Sequence, residues 1–178
     1  MIFAIVGPSG AGKDTLIAGA MAQRPDLRLV RRVITRPETA GGEDFEGVTE
    51  AEFATRRAAG EFAVYWRAHG LHYGIPRAQT LGPNLGQGPI LFNGSRAALP
   101  SAKLAFPDLQ VILVTAPDSV LAARLAQRGR ESLDDITARL ARASFALPQG
   151  ISATTVVNDS TPAIGIVRLL AALQPVNA

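Results

Sequence analysis

The stretch Ile2-Phe3-Ala4-Ile5-Val6-Gly7-Pro8-Ser9-Gly10-Ala11-Gly12-Lys13-Asp14-Thr15 decides the fold. An unbroken apolar run of strand length, Ile2 to Val6, leads into a glycine-rich turn and then into a helical pattern. Glycines at 7, 10 and 12 let the backbone turn tightly, so that successive N–H groups can point at phosphate oxygens. Lys13 adds a mobile positive charge, and the helix behind it adds a positive dipole end. The whole implies a loop that holds the phosphates of a nucleoside triphosphate, with Gly7, Pro8, Ser9, Gly10, Ala11, Gly12, Lys13, Asp14 and Thr15 around ATP. Such loops usually carry Ser or Thr after the lysine, to put a hydroxyl on Mg²⁺; here Asp14 stands there, with Thr15 next. A carboxylate is a hard oxygen donor and a candidate magnesium ligand, but an acid in a first helical turn also complements the helix dipole.

Composition narrows the rest. At 178 residues the chain is long enough for one ordinary core, which predicts a single domain over 1–178. It has no cysteine and only His69 and His72 as histidines, which removes disulfides, thiolate catalysis and Cys- or His-rich metal clusters. No apolar run approaches the roughly 20 residues needed to span a bilayer. A core strand begins at Ile2, so no secretory leader is read, and a cytoplasmic location is expected. The sequence pI is about 9.9, yet the basic residues form no block or aromatic-interleaved stripe, which argues against nucleic acid. Lys13 and Lys103 are the only lysines beside 16 arginines. That bias suits bidentate recognition of phosphate.

Strand-like segments at 2–6, 28–35, 90–93, 110–115 and 154–158 alternate with helical patterns at 13–23, 97–106, 117–128, 132–146 and 161–173. The alternation predicts an α/β fold, a parallel β-sheet flanked by helices. Thr49-Glu50-Ala51-Glu52 and Ser132-Leu133-Asp134-Asp135 have the form of capping boxes, and Pro162 suits a first turn. Residues 37–80, with aromatic extended stretches at 62–68 and 71–75, read as an inserted acceptor-binding lobe. The core is then 1–36 and 81–178. Residues 124–142, with Arg124, Arg128, Arg130, Arg139 and Arg142, read as a lid. Phe62, Tyr65 and Trp66 are expected to pack inside the lobe, and the two histidines to be structural.

Loop, lobe and arginine lid in this order resemble the guanylate kinase family of P-loop phosphotransferases over nearly the whole chain. Thr35-Arg36-Pro37 resembles that family's acceptor-phosphate motif. His69-Gly70-Leu71-His72-Tyr73-Gly74 resembles its H-G-x-x-Y-G segment, and Val156-Val157-Asn158-Asp159 its late strand beside the adenine. The resemblance implies a guanylate-kinase-like P-loop NTPase fold and a phosphotransferase using ATP and Mg²⁺, with Lys13, Arg128 and Arg139 catalytic. It also places Arg124 and Asn158 beside the nucleotide. The residues that read guanine in that family correspond here to Arg32, Val64 and Gly94, none of them acidic. A site that has lost those partners discriminates against guanine. The strings Gly12-Lys13-Asp14, Gly41-Gly42-Glu43-Asp44 and Asn93-Gly94-Ser95-Arg96 resemble a branch of the family that phosphorylates a small sugar bisphosphate. That implies Arg32, Arg36, Asp44, Arg67, Tyr73 and Arg96 as acceptor ligands. A nucleoside monophosphate kinase and an inactive interaction module built on the same fold remain the alternatives.

Overall fold

The computed structural model describes residues 1–40, 43–81, 88–127 and 146–174. The expected helix at 132–146 and lid residues 128–142 lie outside them. The chain divides into two compact units, Met1–Ala4 with Pro25–Gln110 and Ile5–Arg24 with Val111–Ala178. Strand β1 (Ile2–Val6) is buried over most of its length and contributes residues to both units, as its continuous apolar run requires. It belongs to a five-stranded sheet of order β2-β7-β1-β8-β9, where β2 is Arg28–Leu29, β7 Ile90–Asn93, β8 Gln110–Thr115 and β9 Thr154–Val157.

In the first unit β2 pairs in parallel with β7, Arg28 opposite Ile90 and Leu29 opposite Leu91. This unit also holds a second sheet of order β4-β3-β6-β5, made of β3 (Arg32–Ile34), β4 (Phe45–Gly47), β5 (Phe62–Ala68) and β6 (Leu71–Pro76). The predicted strand 28–35 is therefore two strands in two sheets, and the lobe's sheet takes in Arg32 to Ile34, ahead of the start expected at 37. The chain turns at Val30-Arg31, where the Gln79 side chain takes over from a ladder: its carbonyl accepts from Arg31 N–H at 2.8 Å and its amide donates to Arg31 C=O at 3.1 Å. Strands β5 and β6 form a hairpin closed by His69 and Gly70, both at positive φ, 52° and 76°. That is the twist a two-residue hairpin needs, and it accounts for the His-Gly pair.

Pleating gives the second sheet two faces. Val33 and Phe62 lie on one, in a core with Val48 and with Phe53 of helix α2 (Glu50–Ala58), whose ring stacks on Phe62 at 4.7 Å. Thr49 caps α2 as its sequence predicts, its hydroxyl accepting from Glu52 N–H at 3.1 Å. The other face carries Arg32, Ile34, Val64, Trp66 and Tyr73. Trp66 and Phe62 are buried as expected, but Tyr65 alternates to the opposite face from Trp66 and is 49% exposed, with the Arg57 guanidinium over its ring. Helix α3 (Leu99–Ala105) completes the unit.

In the second unit β8 pairs in parallel with β9, Val114 opposite Val156. Helices α1 (Lys13–Gln23), α4 (Asp118–Gln127) and α5 (Pro162–Ala172) belong here. Gly19 lets α1 and α5 approach: a Cβ there would meet Ile166 Cδ1 at 2.1 Å. Thr161 caps α5, and Pro162 occupies its first turn as the sequence predicts.

Candidate functional site

The second unit holds the phosphate loop. Gly7, at φ 152°, crosses the backbone of β8 so closely that a Cβ would sit 2.0 Å from Val114 O. Gly12 precedes α1 in the left-handed region at φ 87°, where a Cβ would lie 2.5 Å from Asn158 Nδ2. Both positions therefore require glycine. The Lys13 ammonium bends back over the loop and donates to the carbonyls of Gly7 at 2.9 Å and Pro8 at 3.1 Å, which fixes it beside the turn. Asp14 and Thr15 are exposed in the first turn of α1.

What holds the loop in shape is Asn158. Its backbone N–H donates to Thr115 O at 2.7 Å, and its side-chain amide donates to Ala11 O at 2.8 Å. It is only 5% exposed, and Gly165 of α5 makes room for it. Arg124 of α4 reaches the same Ala11 carbonyl with Nη1 at 3.5 Å. Asn158 and Arg124, expected beside the nucleotide, thus contact the loop backbone itself. Next to them Asp159 pairs with Arg168 at 2.7 Å, and that hydrogen bond holds its carboxyl below the ordinary value.

The first unit holds a cationic and aromatic cluster on the second sheet. The rings of Trp66 and Tyr73 stack with centroids 5.3 Å apart and planes 5° from parallel. The Arg32 guanidinium lies over both, 5.9 Å from the Trp66 centroid and 5.2 Å from that of Tyr73. Its Nε donates to Glu43 at 2.9 Å, its Nη2 to the other oxygen of the same carboxylate, and its Nη1 to Asn93 O at 2.8 Å. Arg36 lies over the Phe45 ring at 4.3 Å. Burial pushes the Tyr73 phenol above its ordinary value, while Arg32 and Arg36 pull it down. The structure therefore brings Arg32, Arg36 and Tyr73 together. Arg96, half-buried at the short 3₁₀ turn after β7, has its basicity lowered by burial.

Two expected acceptor ligands lie elsewhere. Arg67 alternates with Trp66 along β5 and so projects from the opposite face to Arg32 and Tyr73. Asp44 pairs with the exposed Arg31 at 3.0 Å and, by hydrogen bonding, raises that guanidinium's pKa. Glu43, by contrast, joins the cluster although its sequence context does not single it out. The register of β3 on β4 sets Arg32 opposite Phe45. Just ahead of β4, Glu43 pairs with Arg32 and Asp44 with Arg31. A run of two acids ahead of a strand, facing a run of two arginines, is the signal that could have found it.

Arg128 and Arg139 lie outside the described residues. Among the described residues no group of three or more His, Cys, Asp or Glu is placed to hold a metal ion, and no helix is long and apolar enough to cross a membrane.

No family model matches the chain. Among curated proteins it is 51% identical over 160 residues to ribose 1,5-bisphosphate phosphokinase PhnN of Ruegeria sp. (strain TM1040), covering 89% of this chain and 83% of that one. It is 48% identical over 173 residues to a bifunctional ribose 1,5-bisphosphokinase-thymidine phosphorylase of Cupriavidus necator, where the match covers 97% of this chain but spans 29% of the relative. Among solved structures, guanylate kinase from Anaplasma phagocytophilum superposes with a TM-score of 0.63 at 16% identity, over 98% of this chain and 87% of that one. That likeness establishes the fold, a P-loop kinase with a central parallel sheet.

Proposed function

The chain belongs to the ribose 1,5-bisphosphate phosphokinase family, and from that premise we propose that it transfers the γ-phosphoryl group of ATP to the 1-phosphate of ribose 1,5-bisphosphate, giving 5-phosphoribosyl 1-diphosphate and ADP. The step would supply that diphosphate during phosphonate breakdown. The observation that carries the reading is the acceptor lobe, where the Arg36 guanidinium acts on Tyr73 beside an Arg32 guanidinium already held by Glu43. Such a lobe suits an acceptor made of phosphate and sugar, whose phosphate oxygens accept from an arginine fork.

The chemistry asks little of acid or base groups. A sugar phosphate has its second pKa near about 6, so its attacking oxygen is already ionised at neutral pH. Catalysis then consists of bringing two repelling phosphates into line and neutralising charge as the phosphoryl group passes. Lys13 exchanges its contacts to the Gly7 and Pro8 carbonyls for the β- and γ-phosphate oxygens, while backbone N–H groups of the loop after Pro8 cradle the chain of phosphates. Arg36, Tyr73 and Arg96 hold the acceptor's phosphates; the Tyr73 phenol, kept protonated by burial, donates. Arg128 and Arg139 are assigned to neutralising charge on the transferring group. The residues fit a magnesium ion: Asp14 offers an exposed carboxylate in the first turn of α1, and one carboxylate with phosphate oxygens and waters is a set that magnesium accepts. Bound there, the ion would neutralise phosphate charge.

The test is turnover of purified protein with ATP and ribose 1,5-bisphosphate, beside GMP and AMP, with the product identified rather than ADP counted alone. Formation of 5-phosphoribosyl 1-diphosphate from the sugar, without phosphorylation of GMP, is expected. Turnover of GMP alone would make the protein a nucleoside monophosphate kinase, and failure to bind ATP would make it an interaction module.

A further inference from the structure

We propose that Arg32 is a specificity-determining residue whose guanidinium occupies, inside the acceptor lobe, the slot in which a nucleobase would otherwise be recognised. The inference deepens the reading above and depends on it for the acceptor class; the slot itself stands on geometry.

Three features define the slot. Trp66 and Tyr73 provide an aromatic stack, with centroids 5.3 Å apart and planes 5° from parallel. Glu43 provides two acceptor oxygens, and Asn93 O a third acceptor. The group held among them is the Arg32 guanidinium, 7% exposed, 5.2 Å from the Tyr73 centroid and 5.9 Å from that of Trp66, with adjacent N–H donors on Nε and Nη2 paired to one carboxylate. A flat, delocalised group over aromatic rings, presenting two neighbouring N–H donors to a carboxylate, has the same donor pattern as the N1–H and exocyclic amino edge of guanine. The chain satisfies that pattern internally. A base entering the lobe would have to evict the guanidinium from Glu43 and leave a buried charge without its partner, a penalty that outweighs the stacking and hydrogen bonding the base could offer in exchange. Exclusion of the base is thus built from a positive element in the lobe.

Because Trp66 is the only tryptophan, its fluorescence reports directly on the slot. The experiment titrates wild type and Arg32→Ala with methylguanidinium, GMP and AMP, with circular dichroism to check the fold. Arg32→Ala is expected to show a saturable Trp66 response to methylguanidinium and to GMP, with affinity roughly tenfold or more above wild type. AMP, whose ring edge lacks the adjacent donor pair, should give no such gain, and adding Glu43→Gln to Arg32→Ala should abolish the response. A folded Arg32→Ala protein whose Trp66 signal ignores both ligands overturns the proposal, as does a wild type that binds GMP as tightly as the variant. If Arg32→Ala does not hold its fold alone, the readout becomes recovery of its thermal transition. Recovery with methylguanidinium but not with methylammonium, which carries the charge without the fork, supports the slot; equal recovery or none with both overturns it. None of these readouts needs turnover, so a wild type inactive on ribose 1,5-bisphosphate would defeat the proposed reaction while leaving the slot to be judged separately.

Discussion

At the scale of single residues, the phosphate loop depends on a side chain 147 positions away from the carbonyl it binds. Removing the Asn158 amide leaves Ala11 O without its close donor in a buried setting, which costs about 1–3 kcal/mol. Asn158→Ala is therefore expected to lower the denaturation midpoint and to raise KM for ATP more than it lowers kcat, since the loop is misplaced before the chemistry begins. Unchanged stability together with unchanged ATP dependence would remove the clamp. Tyr73 makes a different prediction. Burial favours its neutral form, so its folded pKa lies above the ordinary 10.0 and the folded state holds the proton more tightly. That contribution is fully present below the ordinary value and is lost as pH rises through it towards the folded value. Tyr73→Phe should flatten the alkaline loss of stability, read as denaturation midpoints on either side of pH 10.0. Lys13 and the three glycines were legible in the sequence because a phosphate loop is a local pattern of neighbouring residues. The partner of Arg32 was not, because Gly41-Gly42-Glu43-Asp44 does not reveal which acid turns to Arg32 and which to Arg31.

At the scale of elements, β2 and β3 show where periodicity runs out. Residues 28–35 carry enough β-branched and apolar side chains to read as one strand, and nothing in their spacing marks the change of sheet. The change is made by a side chain from elsewhere, Gln79, which satisfies both backbone groups of Arg31 between the strands. Gln79→Ala should cost about 1 kcal/mol, because those groups fall back on water at an exposed turn. The loss should weaken the lobe's sheet and so show in the Trp66 fluorescence melt; a variant with the wild-type midpoint would mean that the turn forms without this tie. Elements whose ends are written in local chemistry were legible instead. Thr49 caps α2 and Pro162 opens α5, each within a few residues of the signal that announces it.

At the scale of the whole molecule, the chain gathers into two units that are discontinuous in sequence, a division that no local composition marks. The phosphate loop belongs to one unit and Trp66 to the other, which turns a ligand-binding experiment into a test of cooperativity. A ligand that binds only the folded state stabilises it by about 2.7 kcal/mol at a concentration 100 times its Kd. For a chain of this size that corresponds to a rise in Tm of roughly 5–10 °C. Strand β1 supplies residues to both units, Ile2–Ala4 to one and Ile5–Val6 to the other, so unfolding of either disrupts that one strand. Melts followed by far-UV circular dichroism and by Trp66 fluorescence should therefore coincide, and ATP with magnesium should move both by the same amount although Trp66 lies outside the unit that carries the loop. Lys13→Ala should abolish the shift in both signals while leaving the unliganded midpoints close together. If instead ATP moves the circular dichroism transition and leaves the Trp66 transition where it was, the two units unfold independently, and β1 does not couple them.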